Sequence, residues 1–203
     1  MRAFTFENAT KIYFGGGCVK EHLLEAVKPY GETVMLAYGG GSIKTNGIYQ
    51  EVMDVLKLAG KQVIEFSGIM PNPTYSKVME GKKVVQENQV DLILAVGGGS
   101  VMDCSKAISM AAATDKDVWE EYWIKKGEID FEPVPVGVIV TVVGTGSEVN
   151  GEGVITHEEQ KIKTSRNYPR CNPVFAMMDP KYTYTVSPLQ TAAGGFDMLS
   201  HVM

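Results

Sequence analysis

The run Asp91-Leu-Ile-Leu-Ala-Val-Gly97-Gly98-Gly99-Ser100-Val-Met-Asp103-Cys-Ser-Lys106 stops an apolar strand at three glycines and restarts the chain as a helix. Glycine lets the backbone turn sharply and bring N–H groups against an anion, and a helix beginning there points the positive end of its dipole at the same spot. The run has the outline of a phosphate cradle. Ser100 and Asp103 stand at capping-box spacing, with Asp in place of Glu or Gln, and predict a helix opened by Ser100. The same residues also suit a tight strand-to-helix turn that binds nothing.

The segments around this turn alternate in the same way. Thr33-Val-Met-Leu-Ala-Tyr38 is an apolar strand, helical periodicity runs through Ile48, Val52, Val55 and Leu56, and Gln62-Val-Ile-Glu-Phe66 is a second strand. A helix over Thr74 to Asn88 follows, then a strand over Leu92 to Val96. Continuous apolar strands in a βαβαβα order predict an α/β domain with a doubly wound parallel sheet covered by helices on both faces. Further strands are expected at Val136 to Val142, Gly153 to Thr156 and Val174 to Met178.

At 203 residues and 44% hydrophobic, the chain can bury a full core. Its net charge of −5 is spread along the sequence, so no basic patch argues for nucleic acid. The start, Met1-Arg-Ala-Phe-Thr-Phe-Glu-Asn, lacks the apolar core of a signal peptide, and no run approaches the ~20 residues of a membrane span. A cytoplasmic location is expected. Cys18, Cys104 and Cys171 are read as reduced thiols without zinc-type spacing. In the last segment Ser187-Pro188-Leu-Gln190 opens a helix with a Ser cap and Pro at the first helical position. Residues 1–186 are expected to form the dinucleotide-type domain, and 187–203 the first helix of a second, all-helical one, with the chain a fragment of a longer polypeptide.

In an open parallel sheet, ligands bind at the carboxyl ends of the strands, so the loops after Tyr38, Phe66, Val96 and Val142 are expected to share a crevice. The first, Tyr38-Gly39-Gly40-Gly41-Ser42-Ile43-Lys44, repeats the glycine turn. Two such turns fit one extended ligand with several phosphates, a dinucleotide. Gly40, Gly41, Ser42 and Lys44 stand where a carboxylate would bind the ribose of NAD, which favours NADP, with NAD also compatible. In Met70-Pro71-Asn72-Pro73-Thr74 two prolines stiffen a loop that presents Asn72 as donor and acceptor. Thr141-Val-Val-Gly144-Thr145-Gly146-Ser147-Glu148-Val-Asn150 crowds hydroxyls and an amide suited to a ribose or carboxamide. Asp197 and His201, four apart on the last helix, can ligate one metal from a single face, although most such pairs are structural. His22 and His157, the other histidines, fall in an early helix and in a strand or its turn, so two ligands are missing.

Taken in order, Tyr38-Gly-Gly-Gly-Ser-Ile-Lys44, Pro71-Asn-Pro73, Gly97-Gly-Gly-Ser-Val-Met-Asp-Cys-Ser-Lys106, Thr145-Gly-Ser-Glu148, Asp179-Pro180 and Asp197-x-x-x-His201 resemble the iron-containing (group III) alcohol dehydrogenases, closest to the butanol dehydrogenase-like branch. The similarity runs from Phe4 to His201 and covers about half of the family's length. It implies a Rossmann-like nucleotide domain followed by a helical one. It further implies that Gly97, Gly98, Gly99 and Ser100 hold the pyrophosphate, and that Gly40, Gly41 and Ser42 surround the adenosine ribose. Asn72, Asp103, Thr141, Thr145, Ser147, Asn150, Lys163 and Tyr182 match positions lining the rest of the cofactor cleft. Asp197 and His201 match two metal ligands, for Fe2+ or Zn2+, with two further histidines expected from the helical domain. The sequence departs from the family at Val142-Val143-Gly144, where a further small residue or proline is commoner.

The resemblance implies reversible, metal-assisted hydride transfer between a primary alcohol, butanol-like, and its aldehyde, in a homodimer. No residue is read as a general base. Two other readings stand beside it. One is a non-catalytic NADP-binding module without turnover. The other is a glycerol dehydrogenase-like or dehydroquinate synthase-like member of the wider superfamily, against which the Tyr38 to Lys44 and Pro71 to Pro73 loops argue.

Overall fold

The structure, a computed structural model, describes residues 8–203. Phe4 and the rest of the start through Glu7 lie outside the described residues. The strands are β1 (Lys11–Phe14), β2 (Thr33–Tyr38), β3 (Gln62–Phe66), β4 (Leu92–Gly97), β5 (Val136–Val140), β6 (Glu152–His157), β7 (Ile162–Asn167) and β8 (Phe175–Met178). The helices are α1 (Cys18–Val27), α2 (Ser42–Thr45), α3 (Ile48–Leu58), α4 (Tyr75–Glu87), α5 (Gly99–Ala112) and α6 (Pro188–Val202). Six strands pair in parallel in the order β1-β8-β5-β4-β2-β3.

Alternation along the strands builds a core on each face of the sheet, as the period of two requires. Met35, Ala37, Ile93, Ala95, Val138 and Val140 pack with Val78 and Val85 of α4 and with Met102 and Ile108 of α5. Val34, Leu36, Leu92, Leu94, Ile139 and Met177 point the other way, onto Leu23 and Val27 of α1 and Val52 and Leu56 of α3. Each large side chain so buried contributes about 1.5–3 kcal/mol. Helices therefore cover both faces, as the uninterrupted apolar strands predict. No helix among the described residues is long and apolar enough to cross a membrane. All three cysteines are free and buried.

The expected boundaries hold to within a residue or two, with informative exceptions. The strand expected to reach Val142 ends at Val140, although the Thr141 N–H still donates to Gly97 O at 3.0 Å. The strand expected over Gly153 to Thr156 leaves the main sheet and pairs antiparallel with β7, forming a separate hairpin. Neither β7 nor the edge strand β1 was expected, because Lys11–Phe14 and Ile162–Asn167 are short and mostly outside the core. Helix α5 starts at Gly99 with Gly98 as its cap, and no side chain caps it. The Ser100–Asp103 capping box therefore does not form; Asp103 is held elsewhere, as described below. Ser187 does cap α6, accepting from the Gln190 N–H at 3.3 Å.

Candidate functional site

The direction in which strands are added across the sheet reverses between β2 and β4. From β2 the chain moves outward to β3, and from β4 it moves the other way to β5. The two strands are neighbours, with Tyr38 opposite Val96. The glycine turns that follow them thus flank the switch point, where open α/β sheets take their ligands.

The turn after β2 forms a groove of about 290 Å³ lined by Tyr38, Gly39, Gly40, Gly41, Lys44, Ser67 and Gly68. Gly41 caps α2 in the left-handed region, φ 98°, where a side chain would be strained. Beside the groove, Glu65 of β3 gathers three donors. Its Oε2 accepts from Tyr38 Oη at 2.5 Å and Lys44 Nζ at 2.9 Å, and its Oε1 from Tyr49 Oη at 2.7 Å. The hydroxyls of Tyr38 and Tyr49, then the Lys44 ammonium, lower the Glu65 carboxyl to about 2. Tyr38 and Glu65 in turn raise Lys44 above the ordinary lysine range. Lys44, which the sequence offers with Gly40, Gly41 and Ser42 toward a 2′-phosphate, lines the groove and is paired with Glu65.

The turn after β4 is shaped by close approach. A Cβ on Gly99 would lie 2.8 Å from Thr145 Oγ1, so the backbone of the first helical turn and the Thr145 loop meet directly. Ser100 lies within that first turn, and Thr141 is tied to Gly97 O. Asp103, Ser147 and Asn150 gather around Lys106 of the same helix. Lys106, 2% exposed, donates to Ser147 O and Oγ at 2.8 Å, Asn150 O at 2.9 Å and Asn150 Oδ1 at 3.3 Å. Ser147 Oγ donates to Asp103 Oδ1 at 2.5 Å, and Asp103 Oδ2 accepts from the Val154 N–H at 3.1 Å. Burial raises the Asp103 carboxyl, opposed by Lys106, and lowers Lys106 to about 8, opposed by Asp103. These three residues, expected to line the cleft, also have polar atoms engaged in a cage that ties α5 to the loop before β6.

Two distant expectations come together. The Asn72 and Lys163 side chains meet across the loop and the β6–β7 hairpin. Tyr182 does not bring its hydroxyl to the crevice: it is buried in the α1–α3 core and donates to Glu51 Oε1 at 2.7 Å. Sequence reasoning missed Glu65 and Tyr49. Their signal is weak, a lone acid in an apolar strand and an aromatic in the helix before it.

Helix α6 carries Asp197 and His201 on one face. His201 Nδ1 lies 2.8 Å from the Asp197 carbonyl oxygen and 3.8 Å from Asp197 Oδ1. A Cβ on Gly194 would sit 2.7 Å from Val143 O, and one on Gly144 would sit 3.4 Å from Asp197 Oδ2. The close approach of these backbones places Asp197 against the loop after β5, beside the glycine cradle. As donor types and in spacing the pair fits a divalent metal. Among the described residues no group of three or more His, Cys, Asp or Glu could hold one, so the fit extends to two ligands.

The family model for iron-containing alcohol dehydrogenase matches residues 9–180. The chain belongs to this family. It is 45% identical over 202 residues to a probable NADH-dependent butanol dehydrogenase of Bacillus subtilis, covering 100% of this chain and 51% of that protein. It is 38% identical to the NADPH-dependent aldehyde reductase of Escherichia coli, covering 100% of this chain and 52% of the reductase. The fold superposes on the crystal structure of the NADH-dependent butanol dehydrogenase A of Thermotoga maritima with a TM-score of 0.93 at 38% identity, over 100% of this chain and 50% of that one. The chain thus spans about half the length of these relatives.

Proposed function

We propose that this chain is the nicotinamide dinucleotide-binding half of a metal-dependent alcohol dehydrogenase that interconverts a primary, butanol-like alcohol and its aldehyde. The observation that carries the reading is the placement of Asp197 against the Val143–Gly144 loop, next to two glycine turns at the switch point. In this reading residues 1–186 bind the dinucleotide and 187–203 begin a metal-binding helical part. The backbone N–H groups of Gly97, Gly98, Gly99 and Ser100 hold the pyrophosphate, helped by the dipole of α5. Gly40, Gly41 and Ser42 surround the adenosine ribose. Asn72, Lys163, Thr141 and Thr145 orient the nicotinamide end, while Asp103, Ser147 and Asn150 act beneath it by fixing the loop. Asp197 and His201 would hold Fe2+ or Zn2+ together with ligands from outside the described residues. Such an ion, when bound, is a Lewis acid toward the substrate oxygen. The chain's own part is to align the two reactants and keep water from the transfer path, which converts an encounter into a first-order step. The dependence of relatives on NADH and on NADPH supports the dinucleotide class. The same reading has the protein cytoplasmic and homodimeric.

A second reading is a dinucleotide-binding module without turnover, in which the partly exposed Asp197–His201 contact is a helix-surface pair. One experiment separates them. Fluorescence titration of the chain with NADH and NADPH is expected to show saturable binding. Joining the chain to the carboxyl-terminal half of the Bacillus subtilis relative is expected to give aldehyde-dependent oxidation of the bound cofactor and a stoichiometric metal. In that hybrid, His201→Ala should lose metal and turnover and keep dinucleotide binding. Binding without turnover in a folded hybrid supports the module; no binding by the chain sinks both readings.

A further inference from the structure

The cluster at Glu65 bears on which dinucleotide the groove takes. Lys44 is the one cation among the residues lining the groove after β2, and its ammonium is held by Glu65 at 2.9 Å while lying 4.5 Å from the Tyr49 ring centroid and 5.3 Å from that of Tyr38. Tyr38 and Tyr49 donate to the same carboxylate, so Glu65 is fixed from two elements besides α2. The pair therefore presents almost no net charge to the groove. A ribose 2′-hydroxyl needs none. A 2′-phosphate carries close to two negative charges; it gains from Lys44 but is repelled by the carboxylate bonded to it.

We infer that Glu65 is a specificity-determining residue that clamps Lys44 and thereby holds down the affinity of the groove for a 2′-phosphorylated dinucleotide relative to its 2′-hydroxyl counterpart. The inference rests on the proposed dinucleotide site, and commits that site to a mechanism of selection: the glycines make room for either ribose, and the charge balance between Glu65 and Lys44 chooses. Glu65 acts through Lys44 and need not touch the ligand. A purely structural role for the cluster would weaken both dinucleotides together, whereas a charge role moves them apart.

The test titrates the chain, Glu65→Gln and Lys44→Met with NADH and NADPH by nicotinamide fluorescence at low ionic strength. Glu65→Gln keeps the amide in the place of the carboxylate and removes the charge, and is expected to raise the NADPH-to-NADH affinity ratio by about tenfold, an effect that shrinks with added salt. Lys44→Met leaves the carboxylate unopposed and is expected to lower the ratio by a similar factor. A ratio unchanged in Glu65→Gln, with both dinucleotides still bound, overturns the inference and leaves the site intact. If Glu65→Gln does not fold, Lys44→Met decides alone, and an unchanged or raised ratio there overturns it equally. Wild-type chain that binds neither dinucleotide overturns the site itself.

Discussion

Lys163 Nζ donates to Asn72 Oδ1 at 2.6 Å, joining the tip of the β6–β7 hairpin to the loop after β3 across 91 residues. Asn72 sits between two prolines at φ 55°, in the left-handed region that a short amide tolerates and most side chains do not. Asn72→Ala is expected to lower stability by about 1 kcal/mol in urea unfolding, from the strained backbone. Asn72→Gly relieves that strain while also losing the lysine's acceptor. Glycine at least as destabilising as alanine would count against backbone strain as the cause.

The cage around Lys106 makes a larger prediction. Lys106→Met leaves the Asp103 carboxylate buried without its counter-charge and strands the oxygens of Ser147 and Asn150. Breaking a buried pair from one side costs about 3–5 kcal/mol. The urea midpoint should fall accordingly, and Asp103→Asn in the same background should recover part of the loss. Equal stability of Lys106→Met and wild type would show the cage to be dispensable.

Glu65 ties stability to acidity. Its carboxyl titrates at about 2 in the folded chain against an ordinary 4.5. The contribution is present in full above about pH 4.5 and is lost as pH falls toward 2, because the unfolded chain takes up the proton first. The stability difference between wild type and Glu65→Gln, measured by urea unfolding at pH 6 and pH 3, should shrink at the lower pH. A difference that stays constant would remove the ionic account of this cluster.

The two glycine turns should respond differently to one methyl group. At Gly40 a Cβ meets nothing within 4 Å, whereas at Gly99 it would press on Thr145. Gly40→Ala is expected to leave thermal stability within about 0.5 kcal/mol of wild type while weakening the dinucleotide in fluorescence titration. Gly99→Ala is expected to cost about 1–3 kcal/mol as well as binding. Unchanged binding in Gly40→Ala would move the adenosine end away from this groove.

Much of this was legible in the residues themselves. Strands β2, β3 and β4 are apolar runs with sharp glycine or polar ends, and the caps at Thr74 and Ser187 are read directly from local chemistry. What escaped depends on partners distant in sequence. Asp103 has the spacing of a cap, but a buried lysine one turn later and Ser147 draw it inward. The pairing of Lys44 has no sign in the Tyr38 to Lys44 run, because Glu65 comes within reach only when β3 folds alongside β2. The edge strand β1 has no periodic signal of its own, since only β8 gives it a ladder.

That pairing of first and last strands governs how the chain is made. Lys11 waits for Phe175, about 160 residues later. At ~5–20 residues per second of synthesis this is a delay of roughly 10–30 s. Once Val140 has been made the four strands β2 to β5 can assemble, but until Phe175 follows the sheet border next to β5 stays open and the apolar side of α1 lacks Phe175 and Met177 to cover it. Nascent chains that stall before Phe175 thus present a ready template for wrong pairing, and the docking of β8 seals that border.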